Sequence, residues 1–174
     1  MAAAGASASD ADPMADTVVA YIGLGSNLND PKAQIKQAFK ALKSLPDSRL
    51  GKCSPLYRSV PMGPQDQPQF INAVAQLYTR LPPLLLLENL QRLELAQGRH
   101  RGRHWGPRSL DLDILLYNNL ILNSEQLTIP HSGLYLRNFV LYPLADIAPT
   151  LIFPDGSKLA DHVKNCASSG LKKL

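Results

Sequence analysis

Asp111 and Asp113 are two carboxylates separated by one residue in the run "HWGPRSLDLDILLY" (104–117). Leu110, Leu112, Ile114 and Leu116 alternate with Asp111, Asp113 and Leu115, a period of two that reads as a strand. Residues i and i+2 of a strand project to one face, about 6.5–7 Å apart along the chain. Two acids so placed repel unless something positive lies between them. Hard oxygen ligands suit Mg²⁺, and two-metal phosphoryl-transfer sites hold their ions ~3.5–4 Å apart. A solvent-facing strand with polar alternate residues would show the same spacing, so from Asp-x-Asp alone both readings stand.

The neighbours favour the chemical reading. Arg99, Arg101, Arg103 and Arg108, with His100 and His104, precede the pair. Guanidinium groups match phosphate oxygens in a two-pronged geometry. A basic loop beside an acidic pair suits a Mg-nucleotide: the acids hold metal and the arginines hold phosphate charge. A nucleic-acid surface would use the arginines but be repelled by the acids. "GLGSN" (23–27) follows a strand, but no G-x-x-x-x-G-K-[ST] is present, and it reads as a tight turn rather than a phosphate loop.

These residues need a scaffold. "TVVAYIGLG" (17–25) is β-branched and aromatic and reads as a buried strand. Asp30-Pro31 is a helix-start signal, and Ile35, Ala38, Phe39, Leu42 and Leu45 continue at helical spacing to Pro46. A second strand is expected over 49–58, with Pro55 marking an edge or bulge. Residues 59–68, with three prolines and a glycine, form a loop. A third strand covers 70–80, with Ile71, Ala73, Ala75 and Leu77 on one face and Phe70, Asn72, Val74, Gln76 and Tyr78 on the other. Pro82-Pro83 opens a second helix to about Gln97, with Leu86, Leu90, Leu93 and Gln97 on one stripe and Gly98 as its stop. The Arg-rich loop 98–108 and the Asp strand 109–117 follow. Asn118-Asn119 is a turn signal after which "LILN" is expected to pair back as a hairpin. Beyond Thr128 the reading gives only a small strand "LIF", the turn "PDG" and a last helix over 157–166.

The order β-α-β-β-α-β with a C-terminal extension predicts an α+β, ferredoxin-like antiparallel sheet with helices packed on one face. The other face then needs a cover or a ligand. The length of 174 residues suits one domain, expected over 17–174. Residues 1–16 are Ala/Ser/Asp-rich and read as a disordered tail, with Met14 a candidate start of translation. A net charge of +4 is too modest to indicate a nucleic-acid partner, and no apolar run approaches the ~20 residues of a membrane-spanning helix. Cys53 and Cys166 are far apart and lack CxxC spacing, so a reducing cytoplasm is the simpler setting. The third strand also lacks the K/R-G-F/Y-G/A-F-V pattern of an RNA-binding sheet.

Four ordered blocks carry a resemblance: "AYIGLGSNL" (20–28), "LYRSVPMGPQDQPQFINAV" (56–74), "HWGPRSLDLDIL" (104–115) and "IPHSGLYLRNFVLYPLADIAP" (129–149). Together they resemble the 6-hydroxymethyl-7,8-dihydropterin pyrophosphokinases of folate biosynthesis. The resemblance implies transfer of pyrophosphate from MgATP to the pterin hydroxymethyl group, releasing AMP, by a cytoplasmic enzyme expected to act as a monomer without nucleic-acid or membrane partners. It implies that Asp111 and Asp113 hold two Mg²⁺ ions and that Asp113 helps orient or deprotonate the pterin hydroxyl. Arg99 and Arg108 would bind the transferring phosphates, with Arg101, His131 and Arg137 assisting, and Trp105 would ride on a loop that closes the site. Gln91 and Glu94 would make polar ATP contacts, and Leu112, Ile114, Leu127 and Thr128 would border adenine and ribose. Phe70 and Phe139 would sandwich the pterin, Asn72 would read its edge, and the segment holding Ser59, Val60 and Met62 would complete that edge. The chain departs from the family pattern at three places: His104 replaces a basic residue before Trp105, the loop from Arg99 to Trp105 is short by about one residue, and Ser132 replaces an aromatic.

Overall fold

The computed structural model describes residues 15–99 and 102–174. The tail through Met14, together with His100 and Arg101, lies outside the described residues. The chain builds β1 (Val18–Ser26), α1 (Pro31–Lys43), β2 (Ser48–Cys53), β3 (Tyr57–Ser59), β4 (Phe70–Thr79), α2 (Pro83–Ala96) and β5 (Asp111–Tyr117). There follow β6 (Leu122–Asn123), β7 (Thr128–Ile129), α3 (Asn138–Ile147), α4 (Leu159–Lys164) and β8 (Leu171–Lys173).

The main sheet runs β5-β1-β4-β3-β8, with β2 also on β4, and the pairings are antiparallel. This is the expected ferredoxin-like α+β arrangement. The second strand is split: β2 and β3 are separate pieces with Pro55 between them, because proline cannot donate to a ladder. In α1, Asp30 Oδ1 accepts the Ala33 N–H at 3.3 Å and Pro31 takes the first turn. Its buried stripe is Ile35, Ala38 and Leu42. In α2 the stripe is Leu86, Leu90 and Glu94, so a carboxylate takes the buried position nearest the Asp strand. Gly98, at φ +82°, ends that helix as expected.

Helices α1 and α2 cover one face of the sheet over Ala20, Ile22, Leu24, Ala73, Ala75, Leu77, Leu112 and Ile114. The opposite face receives both a cover and an opening. Helix α3 packs Val140, Leu141, Leu144 and Ile147 on Tyr21, Val74, Leu115 and Leu116. The sequence analysis assigned this segment no helix; Pro143 lies inside it, a position that ordinarily disfavours one. A register shift on β5 between its Ile114 and Leu116 pairings leaves Leu115 as an extra residue. Leu115 and Leu116 thereby both turn to the α3 core, and the aspartates preceding them stay on the uncovered end of the same face.

Several local expectations are corrected. The "LILN" segment does not return to β5; Leu122 and Asn123 pair with Ile129 and Thr128 in a separate ribbon. The last helix is shorter, Leu159–Lys164, and "LIF" supplies only a single bridge from Ile152 to Lys158. The chain end adds β8, which was not foreseen. The glycines of "GLGSN" form neither a tight turn nor a phosphate loop: they lie within β1.

Candidate active site

The uncovered end of the face is a cavity of about 450 Å³. Strand register sets its plan. Gly25 stands between Asp111 on β5 and Asn72 on β4, and Gly23 stands between Asp113 and Val74. With neighbouring strands ~4.8 Å apart, Asp111 and Asn72 are separated by roughly 10 Å across a floor that carries no side chain. A Cβ on Gly25 would stand 3.4 Å from Asn72 Oδ1 and 4.0 Å from Phe70 Cδ1; one on Gly23 would stand 3.2 Å from Leu115 Cδ2. The cavity therefore has an acidic end and an amide-and-aromatic end, joined by bare backbone. Valine at Gly25 suits a strand but fills that floor. Gly25→Val should fold with an undiminished melting temperature and lose binding of a flat ring ligand by about 100-fold, as overpacking a closed contact does. Ligand titration beside thermal unfolding reads both.

At the acidic end the arginines already meet the acids. Arg99 Nη1 lies 2.9 Å from Asp111 Oδ1, and Arg108 Nη1 lies 2.8 Å from Asp111 Oδ2. Arg99 also pairs with Glu94. Glu94 is only 5% exposed and its Oε1 accepts the Leu112 N–H at 2.7 Å. Burial pushes its carboxyl up to about 7, against the pull of that N–H and of Arg99. Among the described residues no cation comes so close to Asp113. His131 Nε2 is 3.9 Å from its Oδ2. Its depth in the cavity, then the charges of Asp111 and Glu94, push its pKa up to about 7 against the pull of Arg137 and Arg108. Yet 40% of the side chain faces the open cavity, so a ligand can reach it. His131 is fixed by its main chain: its N–H donates to Leu115 O at 3.0 Å, and Nδ1 accepts the Gly133 N–H at 3.0 Å. In the neutral ring the proton then sits on Nε2, toward Asp113. Burial and Arg137 lower the His131 pKa and favour that neutral form.

At the other end, Asn72 Nδ2 donates to Ser59 Oγ at 2.7 Å. Its carbonyl and second N–H remain for a ligand. Phe70, Phe139, Val60 and Met62 line the same end, with Met62 and Val60 exposed at the mouth. Tyr57 is buried and donates its hydroxyl to Asp146, so it packs the fold.

Two loops close over the cavity and hold each other. Arg103 pairs with Asp66 at 2.7 Å, and Gln67 Nε2 donates to Trp105 O at 2.8 Å. A Cβ on Gly63 would stand 2.7 Å from Trp105 Cβ, so only glycine permits this approach. Asn27, to which the sequence analysis gives no role, joins both loops to the end of β1. Its Nδ2 donates to Gln67 Oε1 at 3.0 Å and Pro68 O at 2.9 Å, and its Oδ1 accepts the Arg108 N–H at 2.8 Å. The His104 ring lies tilted against Trp105 with ring centroids 5.4 Å apart, and Ser132 lines the cavity.

Other expected site residues lie outside the cavity lining. Leu112, Ile114 and Leu127 are buried on the helix-covered face, so their side chains point away from the aspartates. Strand β5 is an edge strand of the main sheet. Gln91 is exposed on α2 and Thr128 on β7, whereas Glu94 supports Arg99 and Leu112 from beneath. Arg101 lies outside the described residues.

The fold and the cavity define an α+β protein whose open sheet face carries an arginine-flanked acidic end and an amide-and-aromatic end on one floor. The sequence profile of 7,8-dihydro-6-hydroxymethylpterin-pyrophosphokinase (HPPK) matches residues 21–149. A Pseudomonas aeruginosa protein named 2-amino-4-hydroxy-6-hydroxymethyldihydropteridine pyrophosphokinase is 51% identical over 154 residues, 88% of this chain and 95% of that one. A Haemophilus influenzae protein of the same name is 50% identical over 157 residues, 90% of this chain and 98% of that one. Among solved structures, an HPPK-DHPS in complex with substrates matches with a TM-score of 0.70 at 14% identity, over 91% of this chain. The present chain spans 46% of that longer one, and the likeness concerns the fold. The chain belongs to the 7,8-dihydro-6-hydroxymethylpterin-pyrophosphokinase family.

Proposed function

We propose that residues 17–174 act as one catalytic unit that transfers pyrophosphate from ATP to 6-hydroxymethyl-7,8-dihydropterin, in folate biosynthesis. The observation that carries this reading is the register Asp111–Gly25–Asn72, which puts a phosphate-handling end and a pterin-reading end across one bare floor. The pterin lies between Phe70 and Phe139, with Asn72 and the Ser59–Met62 segment on its polar edge. A mixed donor-acceptor amide in a buried wall suits such an edge. The ring's hydroxymethyl group then points toward the aspartates.

Arg99, Arg108, Arg137 and His131 hold the phosphates, and Arg101, two residues after Arg99, assists. Arg99 and Arg108 are now paired with Asp111, so an arriving phosphate takes over partners that are already in place. Asp111 and Asp113 are left to hold Mg²⁺. Among the described residues no cluster of three or more His, Cys, Asp or Glu offers a complete metal cage. Two carboxylates on one strand face fit Mg²⁺, which binds through one or two carboxylates plus substrate phosphates and keeps its waters. Two bound ions would supply charge neutralisation on the phosphates. The pterin oxygen attacks the β-phosphorus in line, the bond from that phosphorus to the α-phosphate oxygen breaks, and AMP leaves. Asp113, facing the open cavity, orients the hydroxyl and accepts its proton. Little covalent chemistry is asked of the protein, so positioning and charge carry the rate. We place the enzyme in the cytoplasm, as a monomer; both cysteines are free.

The raised Asp113 pKa gives this reading a pH signature. Below about 7 the carboxyl is protonated and its proton competes with the metal. Mg²⁺-dependent binding of a non-hydrolysable ATP analogue should tighten about tenfold from pH 6 to pH 8 and level off above that, as expected for one displaced proton. Calorimetry in buffers of differing ionisation enthalpy counts that proton. A pH-independent affinity would remove Asp113 from the metal site.

A further inference from the structure

The last residues of the chain touch both walls of the ring-binding end of the cavity. Strand β8 pairs with β3 through Tyr57↔Lys173, Arg58↔Lys172 and Ser59↔Leu171. The Val60 N–H donates to Gly170 O at 3.2 Å, and the Leu174 N–H to Leu56 O at 2.9 Å. On the other wall, Asn138 Nδ2 donates to Ala167 O at 3.0 Å and Ser169 O at 3.1 Å, one residue before Phe139. Lys173 Nζ reaches Asp146 Oδ1 at 3.1 Å, and the same carboxylate accepts the Tyr57 hydroxyl. Residues 167–174 thus tie the start of α3 to the strand that carries Ser59.

Strand β3 depends on this tie. It is three residues long, is severed from β2 at Pro55, and has only three register pairs with β4. A strand so short is marginal when paired on one side alone. Ser59 accepts from Asn72, so a shift of β3 moves the polar partner of the residue proposed to read the pterin edge. Gly170 stands at φ +73°, and a Cβ there would stand 3.0 Å from Val60 Cγ2. The acidic end shares none of these bonds: Asp111, Asp113 and Arg108 sit on β5 and the loop before it.

We propose that residues 167–174 form a strap that positions the pterin wall, setting the Ser59–Val60 segment against Phe139 and so determining pterin affinity without determining nucleotide affinity. The inference rests on the pyrophosphokinase reading. The exposed tail residues act through β3 and α3 and are positioning residues.

The test uses the full chain, a chain lacking residues 168–174, and Gly170→Val. Fluorescence titration measures 6-hydroxymethylpterin binding in the presence of Mg²⁺ and a non-hydrolysable ATP analogue; the analogue's own affinity is measured separately. Both altered chains should bind the pterin roughly tenfold more weakly, the cost of ordering a wall that is no longer held, with analogue affinity within about twofold of the full chain. If the shortened chain does not fold, Gly170→Val decides. Unchanged pterin affinity in Gly170→Val overturns the strap, as does an equal loss of both ligands, which would make the tail a general staple. Failure of the full chain itself to bind the pterin would instead overturn the pyrophosphokinase reading.

Discussion

Replacing Asp113 with asparagine is expected to lower turnover by at least about 10³-fold, the scale on which a preorganised charged group acts on a developing transition state. The same change should leave the fold intact. Asp113 is held in a concave site beside Asp111 and Glu94, which raises its pKa. The sign follows from linkage. A carboxyl whose folded-state pKa lies above its unfolded value favours folding while protonated, at low pH. That contribution is lost as pH rises through about 7. At pH 8 the wild-type folded state therefore carries a carboxylate at some cost, and asparagine removes the cost. The melting temperature of the ligand-free variant at pH 8 should equal or exceed that of wild type. A near-normal rate would sink the role given to Asp113. A large drop in melting temperature would show instead that its charge supports the fold.

Asn72→Ala is the second large effect, and it acts on the other end. Asn72 is buried, holds Ser59 at 2.7 Å and faces the bare position of Gly25. Alanine removes two donors and an acceptor and frees the Ser59 hydroxyl. Pterin affinity should fall by roughly 10–100-fold, the range for losing one or two buried hydrogen bonds whose partners stay dry. Nucleotide affinity should change by less than about twofold, because Asp111 and Arg108 lie across the floor, some 10 Å away by strand spacing. Titrating the two ligands separately gives the split. Equal losses would mean that Asn72 supports the whole cavity and reads no ligand.

The sequence was most legible where local chemistry and local periodicity agree. The alternation around Asp111 and Asp113 placed both acids on one strand face, and strand β4 sorted Ile71, Ala73 and Ala75 from Phe70 and Asn72 in the observed way. The motif resemblance singled out residues that the fold brings to both ends of the cavity. What it missed depends on distant pairing. The cavity floor at Gly23 and Gly25 appears only once β1 is set between β4 and β5, so in isolation those glycines look like a turn. Helix α3 is hidden by Pro143, a breaker that packing against Val74 and Leu115 overrides. Strand β8 is three residues ending in two lysines, suited to an exposed edge and invisible without its partner β3. Glu94 was expected at the nucleotide, but the burial that commits it to Leu112 and Arg99 follows from tertiary packing. Asn27 resembles any loop asparagine until Gln67 and Arg108 are brought to it.

The nucleotide that leaves when ATP reacts distinguishes pyrophosphoryl from phosphoryl transfer. Incubating the protein with MgATP and 6-hydroxymethyl-7,8-dihydropterin and separating the adenine nucleotides tests this directly. The prediction is AMP, formed one for one with pterin diphosphate and only when pterin and Mg²⁺ are both present. ADP with a pterin monophosphate would contradict it, and would mean that the floor between Asp111 and Asn72 presents the γ-phosphorus to the pterin rather than the β-phosphorus.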